Sequence, residues 1–266
     1  MVVPTYLINL RRDGARLERM SAQLSRLGLP FERLDAIHGL DMPGWLQPYF
    51  LDAEGKSASR LLPGEIGCYA SHLLACAIIA QRGLPALVLE DDLEIADGFT
   101  DLLRAFGTLP AGWDIVRLSN PHKRICFRVS GLTDRFSLVK FSRVPPSTGA
   151  YLLSPAGARK FLGWKHLRTL PVDQDLRRNW DCGLKTYGVF PQPVIANIGA
   201  STIDGMQMRS SQRLRTMFGV QDYLARSWDE ICWIGPGAWL SSRVNAGSRC
   251  RGADGGVARL SDRASF

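Results

Sequence analysis

The chain has 266 residues, of which 45% are hydrophobic and 22% charged, with 33 Lys and Arg against 25 Asp and Glu. That mixture excludes a disordered or fibrous chain, and the length holds one sizeable core with an appendage but not several full domains. A net charge of +8 favours anionic partners, yet the basic residues run from Arg11 to Arg263 with no helix-turn-helix, RNA-recognition or zinc-finger pattern, so no specific nucleic acid is expected.

Thr5 to Leu10 is a short apolar run with β-branched and aromatic content and predicts a buried strand. From Arg12 to Leu27, Leu17, Met20, Leu24 and Leu27 recur at spacings of three and four, while Arg12, Arg16, Arg19 and Arg26 gather on another stripe. This predicts an amphipathic helix stopped by Gly28. Phe31 to Ile37 predicts a second strand, so the chain opens as one β-α-β unit. Glycine and proline punctuate Gly39 to Pro63, which reads as loop with short helices. Pro63-Gly64-Glu65 places proline near the first helical position and an acid in the first turn, and predicts a helix from Glu65 to Ala80. Its apolar stripe is Ile66, Ala70, Leu73 and Ala77; Glu65, Cys68, Tyr69 and His72 stack on a mixed polar stripe expected to face away from the core.

Ala86 to Leu89 is a four-residue apolar strand that ends abruptly in Glu90-Asp91-Asp92. Further strands are expected at Ile115 to Leu118, Ser137 to Val144, Ala150 to Leu153 and Val194 to Ile198, with a helix from Pro155 to Leu162 capped by Ser154. Strands interleaved with helices predict an α/β fold with a mostly parallel, twisted sheet flanked by helices. After Gly205 the pattern loosens: one amphipathic segment spans Leu214 to Trp233, and Gly235 to Phe266 is rich in Gly, Ser and Arg. The expected division is a catalytic domain over residues 1–205 and a basic, partly helical and partly disordered extension over 206–266. No apolar run approaches the ~18 to 20 residues that span a bilayer, and Met1-Val2-Val3-Pro4 lacks the cationic region of an export signal, so a cytoplasmic location is expected. The six cysteines include no C-x-x-C pair and read mostly as buried thiols.

Acids directly after an apolar strand stand where open α/β sheets bind ligands, outside the carboxyl ends of parallel strands. Like charges packed ~4 Å apart cost about 4 kcal/mol per pair at an effective dielectric of 20, so converging carboxylates call for a cation or a shared proton. A hard divalent ion, Mg²⁺ or Mn²⁺, answers that need with oxygen ligands and keeps positions for substrate phosphates. A solvated turn with N-capping acids answers it as well.

Five blocks carry a stronger signal in combination. They are Tyr6-Leu7-Ile8-Asn9-Leu10 with Arg11 and Arg16, Gly64-Glu65-Ile66-Gly67-Cys68-Tyr69-Ala70-Ser71-His72, Leu87-Val88-Leu89-Glu90-Asp91-Asp92, Gly149-Ala150-Tyr151-Leu152-Leu153-Ser154 and Pro171-Val172-Asp173. In this order they resemble glycosyltransferase family 25, which includes bacterial lipooligosaccharide galactosyltransferases and a domain of collagen galactosyltransferases. The resemblance implies a GT-A-like nucleotide-sugar fold and transfer with inversion from a UDP-sugar, usually UDP-galactose. The acceptor it implies is a saccharide or glycolipid, in bacterial lipooligosaccharide or lipopolysaccharide biosynthesis.

By similarity to the D-x-D motif of such enzymes, Asp92 is the expected metal ligand with Glu90 beside it, and Glu90 or Asp91 touches ribose or metal. Asp173 matches a family position for the base that takes the acceptor proton, with Asp175 as the alternate; a helix N-cap is the plainer reading of both. Ile8, Asn9, Arg11 and Arg16, whose guanidinium forks match phosphate oxygens, join Glu65, Ser71, His72, Thr148, Gly149 and Tyr151 in the expected donor-binding set. The basic tail with Trp228, Trp233 and Trp239 suits peripheral contact with anionic lipid on the inner face of the cytoplasmic membrane. Two competing readings remain: a nucleotide-sugar hydrolase using the same acids with water, and a non-catalytic basic anion-binding module.

Overall fold

Every residue of the first strand, β1 (Thr5–Asn9), is buried, because the sheet it belongs to is covered by helices on both faces. The computed structural model describes residues 3–57, 61–120, 125–196 and 220–244, with 250–251 and 257–258. β1 lies between β2 (Glu32–Asp35) and β3 (Ala86–Leu89), parallel to both, with Leu7 opposite Leu89. The antiparallel pair β4 (Leu93–Ile95) and β10 (Val194–Ala196) stands apart from this sheet. β8 (Ala150–Leu153) runs antiparallel between β3 and β5 (Ile115–Arg117), and β9 (Thr186–Phe190) lies parallel beside β5. β7 (Ser137–Phe141) and β6 (Cys126–Gly131) continue antiparallel, and the two-residue strands β11 (Cys250–Arg251) and β12 (Val257–Ala258) complete this sheet of ten strands among the described residues. The expected α/β class is observed, with parallel pairing in β2-β1-β3, in β5-β9 and in β6-β11.

Alternation along the strands sorts two cores. Tyr6, Ile8, Val88, Tyr151 and Leu153 face α2 (Pro63–Arg82) and α4 (Pro155–Gly163), where they meet Leu73, Ile79 and Phe161. Leu7, Leu87, Leu89, Val116 and Leu152 face α1 (Gly14–Arg26) and α3 (Phe99–Ala105), where they meet Met20, Leu24 and Phe99. Each fully buried side chain of this kind contributes about 1.5–3 kcal/mol, so an acid at Leu7 or Leu87 would break the layer between β1, β3 and α1. Gly28 ends the first helix region at φ +63, as its place in the sequence requires.

α2 departs from the expected two-faced helix. Tyr69 is fully buried between Phe50 and Phe161, and Glu65 and His72 are buried as well. The helix lies under the sheet, against α4, and loops cover its other side, so it carries apolar residues nearly all round. It is the one described helix long and apolar enough to cross a membrane, with a mean hydropathy of 1.2, but more than half of its apolar stretch is buried within the protein, which marks a core helix.

Two short helices, α5 (Val172–Asp175) and α6 (Asn179–Cys182), lead to the edge where the later chain docks. There the chain forms α7 (Val220–Ile234) and α8 (Pro236–Val244). Trp233 packs edge-on against Tyr187 at 4.9 Å, Lys140 lies 4.2 Å over the Trp233 ring, and Asn179 donates to Asp229 at 2.7 Å. Trp239 donates to Glu230, so of the three tail tryptophans only Trp228 is exposed. Within Gly235 to Phe266, where partial disorder was expected, Pro236–Val244 is helical, and most of the rest, like the strand end at Ile198 and the helix start at 214–219, lies outside the described residues. Free thiols are found at Cys68, Cys76, Cys182 and Cys232, of which only Cys76 is fully buried and Cys232 is exposed.

Candidate active site

Strand register brings three segments to one edge of the sheet. With Leu7 opposite Leu89, Asn9 at the end of β1 and Glu90 to Asp92 just past β3 come to the same edge. β8 runs the opposite way, with Ala150 opposite Leu89, so its start, Thr148 and Gly149, reaches the same edge. The Glu90 amide donates to the Gly149 carbonyl at 2.8 Å. A Cβ on Gly149 would lie 2.9 Å from Leu93 Cδ2, so glycine permits this close approach.

The three consecutive acids have three different environments. Asp91 is buried, and its charge is already matched: Asn9 Nδ2 donates to Oδ2 at 2.7 Å, Arg16 Nη1 reaches Oδ1 at 3.0 Å, and Arg19 bonds its carbonyl at 3.4 Å. It ties α1 to the ends of β1 and β3. Glu90 is part-buried: His72 Nε2 stands 3.1 Å from its Oε1 and Thr148 bonds it too. Burial would raise its pKa, but the bonds from His72 and Thr148 outweigh that and hold the carboxyl below the ordinary glutamate value. His72 is itself fixed by Tyr151, whose hydroxyl lies 2.9 Å from Nδ1. A carboxylate only accepts, so Nε2 carries the proton toward Glu90, and in the neutral ring Nδ1 accepts from Tyr151, whose hydroxyl burial keeps protonated.

Asp92 differs from both. Its side chain is 27% exposed, and among the described residues its one ion-pair partner is Arg16, at 4.0 Å. Burial, then the charges of Glu90 and Asp91, push it up to about 6. A cation would relieve this crowding of negative charge, and the oxygens of Asp92 and Glu90 suit a hard divalent ion. Cys68 lies one helical turn before His72, and Cys68, His72 and Glu90 offer ligand atoms within 4.8 Å of one another. Burial and the charges of Glu90, Asp173 and Asp92 raise the Cys68 thiol well above its ordinary value, so it stays protonated. The donor set therefore fits Mg²⁺ or Mn²⁺ on the carboxylates better than a soft metal on sulfur.

Asp173, on α5, belongs to the same electrostatic neighbourhood, since its charge and that of Glu90 act together on Cys68 and on Arg117. Burial raises its carboxyl, and Arg117 and Arg177 hold that rise in check. Arg117 is the residue that the sequence reading missed. It sits in β5 opposite Tyr151, is fully buried, and is lowered to about 10 by that burial. Its Nε and Nη1 have no hydrogen-bond partner among the described residues. The signal was present: an arginine inside the apolar run Ile115 to Leu118 cannot be a surface residue if that run is a central strand. Cys68 was likewise visible at i, i+4 from His72, though with no local mark of its role.

Other expected site residues turn elsewhere. Asp175 is buried and accepts from the Tyr69 hydroxyl at 3.0 Å, so it lies in the core rather than beside a substrate. Glu65 closes the start of α2 by accepting from the Leu62 amide at 2.8 Å. Ser71 accepts from the Ile37 amide and donates to the Gly67 carbonyl, which ties the loop after β2 to α2. Arg11 pairs with Asp35 with its side chain 85% exposed, and Ile8 packs into the core. Asn9, Arg16, His72, Thr148, Gly149 and Tyr151 are brought together with the acids as expected.

The family model described as glycosyltransferase family 25 (LPS biosynthesis protein) matches residues 2–176. The chain is 31% identical over 195 residues to procollagen galactosyltransferase 1-B of Xenopus laevis, covering 66% of this chain and 31% of that protein. It is 32% identical over 194 residues to the inactive glycosyltransferase 25 family member 3 of Homo sapiens, covering 64% and 30%. The chain thus spans about a third of the length of the curated relatives it matches. Among solved structures, a Drosophila beta-1,4-galactosyltransferase 7 mutant in complex with manganese, UDP-Gal and xylobiose aligns with a TM-score of 0.38 and 14% identity, over 85% of this chain and 80% of that one. The matched span contains β1, α2, the Glu90 to Asp92 segment, β8 and Asp173, and the chain belongs to glycosyltransferase family 25.

Proposed function

We propose that this chain transfers a hexose, galactose, from a UDP-sugar to a hydroxyl of a saccharide or glycolipid acceptor, with inversion and with Mn²⁺ or Mg²⁺ bound. One observation carries the reading. At a single sheet edge, Asp91 is neutralised by Asn9 and Arg16 while Asp92 beside it is left crowded with negative charge. That pattern separates a structural acid from a ligand-binding one. Galactose rests on the family and on the procollagen galactosyltransferase among the relatives.

Asp92 and Glu90 are the residues that would hold the divalent ion, which supplies positive charge opposite the leaving diphosphate. Arg16 Nη2 and Arg19 Nε are buried beside the acids with no hydrogen-bond partner among the described residues, and suit phosphate oxygens. His72, held by Tyr151, orients Glu90. Asp173 is the base. The acceptor hydroxyl oxygen bonds to the anomeric carbon as the bond from that carbon to the phosphate oxygen breaks. UDP leaves with the electron pair, and the hydroxyl proton passes to Asp173. Burial raises the Asp173 carboxyl toward the working pH, which suits proton uptake.

The test is product analysis with UDP-galactose, Mn²⁺ and a panel of glycoside acceptors. Galactosylated acceptor of inverted configuration is expected, and Asp173→Asn should cut turnover by at least about a hundredfold while UDP binding is kept. Free galactose without glycosylated acceptor would make the chain a hydrolase. Neither product, with salt-sensitive binding to any polyanion, would make it an anion-binding module.

A further inference from the structure

Glu90 belongs to two sets of donor atoms. One is the pair of carboxylates, with Asp92, that suits a hard ion. The other is made with side chains of α2: the Cys68 thiol, the His72 ring and the Glu90 carboxylate offer ligand atoms that lie within 4.8 Å of one another. Cys68 and His72 are one helical turn apart on the same side of α2, and the burial of that helix fixes their spacing. The third donor arrives from the chain just past β3.

Sulfur, imidazole nitrogen and one carboxylate oxygen, with a fourth position left open, form a ligand set for Zn²⁺ rather than for Mg²⁺ or Mn²⁺, which take oxygen. Ligand atoms on one tetrahedral Zn²⁺ stand about 3.3–3.6 Å apart, given bonds of about 2.0–2.3 Å. His72 Nε2 and Glu90 Oε1 are 3.1 Å apart, so this pair is already close to the spacing that a shared ion requires. The thiol has little more than an ångström to close.

The surroundings supply the rest of a metal site. His72 Nδ1 is held by the Tyr151 hydroxyl at 2.9 Å, the kind of outer contact that fixes a ligating imidazole. A hydroxyl oxygen accepts as well as donates, so the contact survives when the ring proton moves to Nδ1 and frees Nε2 for an ion. Thr148 bonds the Glu90 carboxylate and orients it. The Glu90 side chain is 28% exposed, which lets an ion enter from solvent, and Asp92 adds negative charge that reaches the same thiol.

We infer that Cys68, His72 and Glu90 form a binding site for Zn²⁺ or another thiophilic divalent ion, and that filling it switches the active site off by withdrawing Glu90 from the Mn²⁺ or Mg²⁺ position. The ion takes the place of the proton between Nε2 and Glu90. That proton moves to Nδ1, the thiol proton passes to solvent, and sulfur, nitrogen and oxygen each donate an electron pair to the ion. No electron is transferred, so the step needs no oxidant or reductant. The switching half rests on the transferase reading above, whereas the site stands on its donor atoms alone.

The experiment is titration of the full chain with Co²⁺ as a spectroscopic stand-in for Zn²⁺, read as thiolate-to-cobalt charge-transfer absorption in the near ultraviolet. The wild type and Cys232→Ser, which removes the exposed thiol, should both show the band, and Cys68→Ser should lose it. Zn²⁺ affinity, from competition with a chromophoric chelator, should fall by about a hundredfold or more in Cys68→Ser, since loss of even an outer partner of a ligand costs about 10–100-fold. Cys68→Ala repeats the test with no side-chain oxygen to replace the sulfur. Bound Mn²⁺, followed by electron paramagnetic resonance with UDP present, should be released by Zn²⁺ from the wild type, and its release from Cys68→Ser should take at least about tenfold more Zn²⁺. No band in the wild type, a band that persists in Cys68→Ser, or equal release of Mn²⁺ from the two proteins would overturn the inference. A thiolate band in a protein that binds neither UDP nor Mn²⁺ would keep the zinc site and reject the transferase reading.

Discussion

His72 on α2 and Glu90 after β3 stand 3.1 Å apart, Nε2 to Oε1, with the Tyr151 hydroxyl of β8 on the other ring nitrogen at 2.9 Å. One imidazole thus ties three elements that are distant in sequence and orients a carboxylate of the proposed cation site. His72→Ala removes both bonds. The expected result is a loss of turnover of about tenfold or more, since a hydrogen bond to a charged group contributes about 1.5–3 kcal/mol, with a smaller rise in melting temperature on adding Mn²⁺. Wild-type turnover with an unchanged Mn²⁺ response would show that the contact orients nothing that matters.

Arg117 offers a test through pH. Its charge favours the ionised form of Asp173, so Arg117→Met, which keeps length and removes charge, lets the Asp173 carboxyl rise further. The proposed base acts when deprotonated. The acid limb of the turnover profile should therefore move to higher pH, by about one unit, while the melting temperature falls by only a few degrees, because an apolar side chain of similar volume replaces a poorly bonded buried cation. An acid limb in its wild-type position would remove either Arg117 or Asp173 from the mechanism.

Asp175 separates a structural acid from a catalytic one. Burial raises it from 3.8 to about 6, with the Tyr69 bond only partly offsetting this. The folded state therefore holds the proton more tightly than the unfolded chain. The stability contributed by the protonated form is full below about 3.8 and is lost as pH rises through about 6. Relative to Asp175→Asn, the wild type should gain at most about 3 kcal/mol of stability between pH 7 and pH 4, measured by denaturant melts at each pH. The variant should keep a large part of its turnover at pH 7, unlike Asp173→Asn. A difference in stability that is flat with pH would mean that Asp175 titrates normally.

Much of the site was legible where the signal is local. Ala86 to Leu89 followed by three acids reads as a buried strand with a polar end, and it is one. Ser154-Pro155 reads as a helix start, and Ser154 Oγ accepts from the Gly157 amide at 3.0 Å. What was not legible depends on pairing between distant segments. Nothing local tells that β8 runs antiparallel between β3 and β5, and that reversal is what delivers Thr148, Gly149 and Tyr151 to the acids. The stripe of Glu65, Tyr69 and His72 looked like a solvent-facing side of α2 because periodicity cannot show that loops and α5 cover it. Asp173 and Asp175 are two residues apart and chemically alike, and only packing shows that one meets Gln174 near the sheet edge while the other meets Tyr69 in the core.

The central claim is that Asp92 is a ligand site for a cation that accompanies the nucleotide. The most direct measurement is the melting temperature of the wild type and of Asp92→Asn with UDP-galactose, with Mn²⁺, and with both. Near 100 times the dissociation constant a ligand stabilises the folded chain by about 2.7 kcal/mol, or roughly 5–10 °C for a protein of this size. The wild type should show that rise only with both present, and Asp92→Asn should lose the part that depends on Mn²⁺. An equal rise in the variant, or no response of the wild type to the pair, would contradict the account.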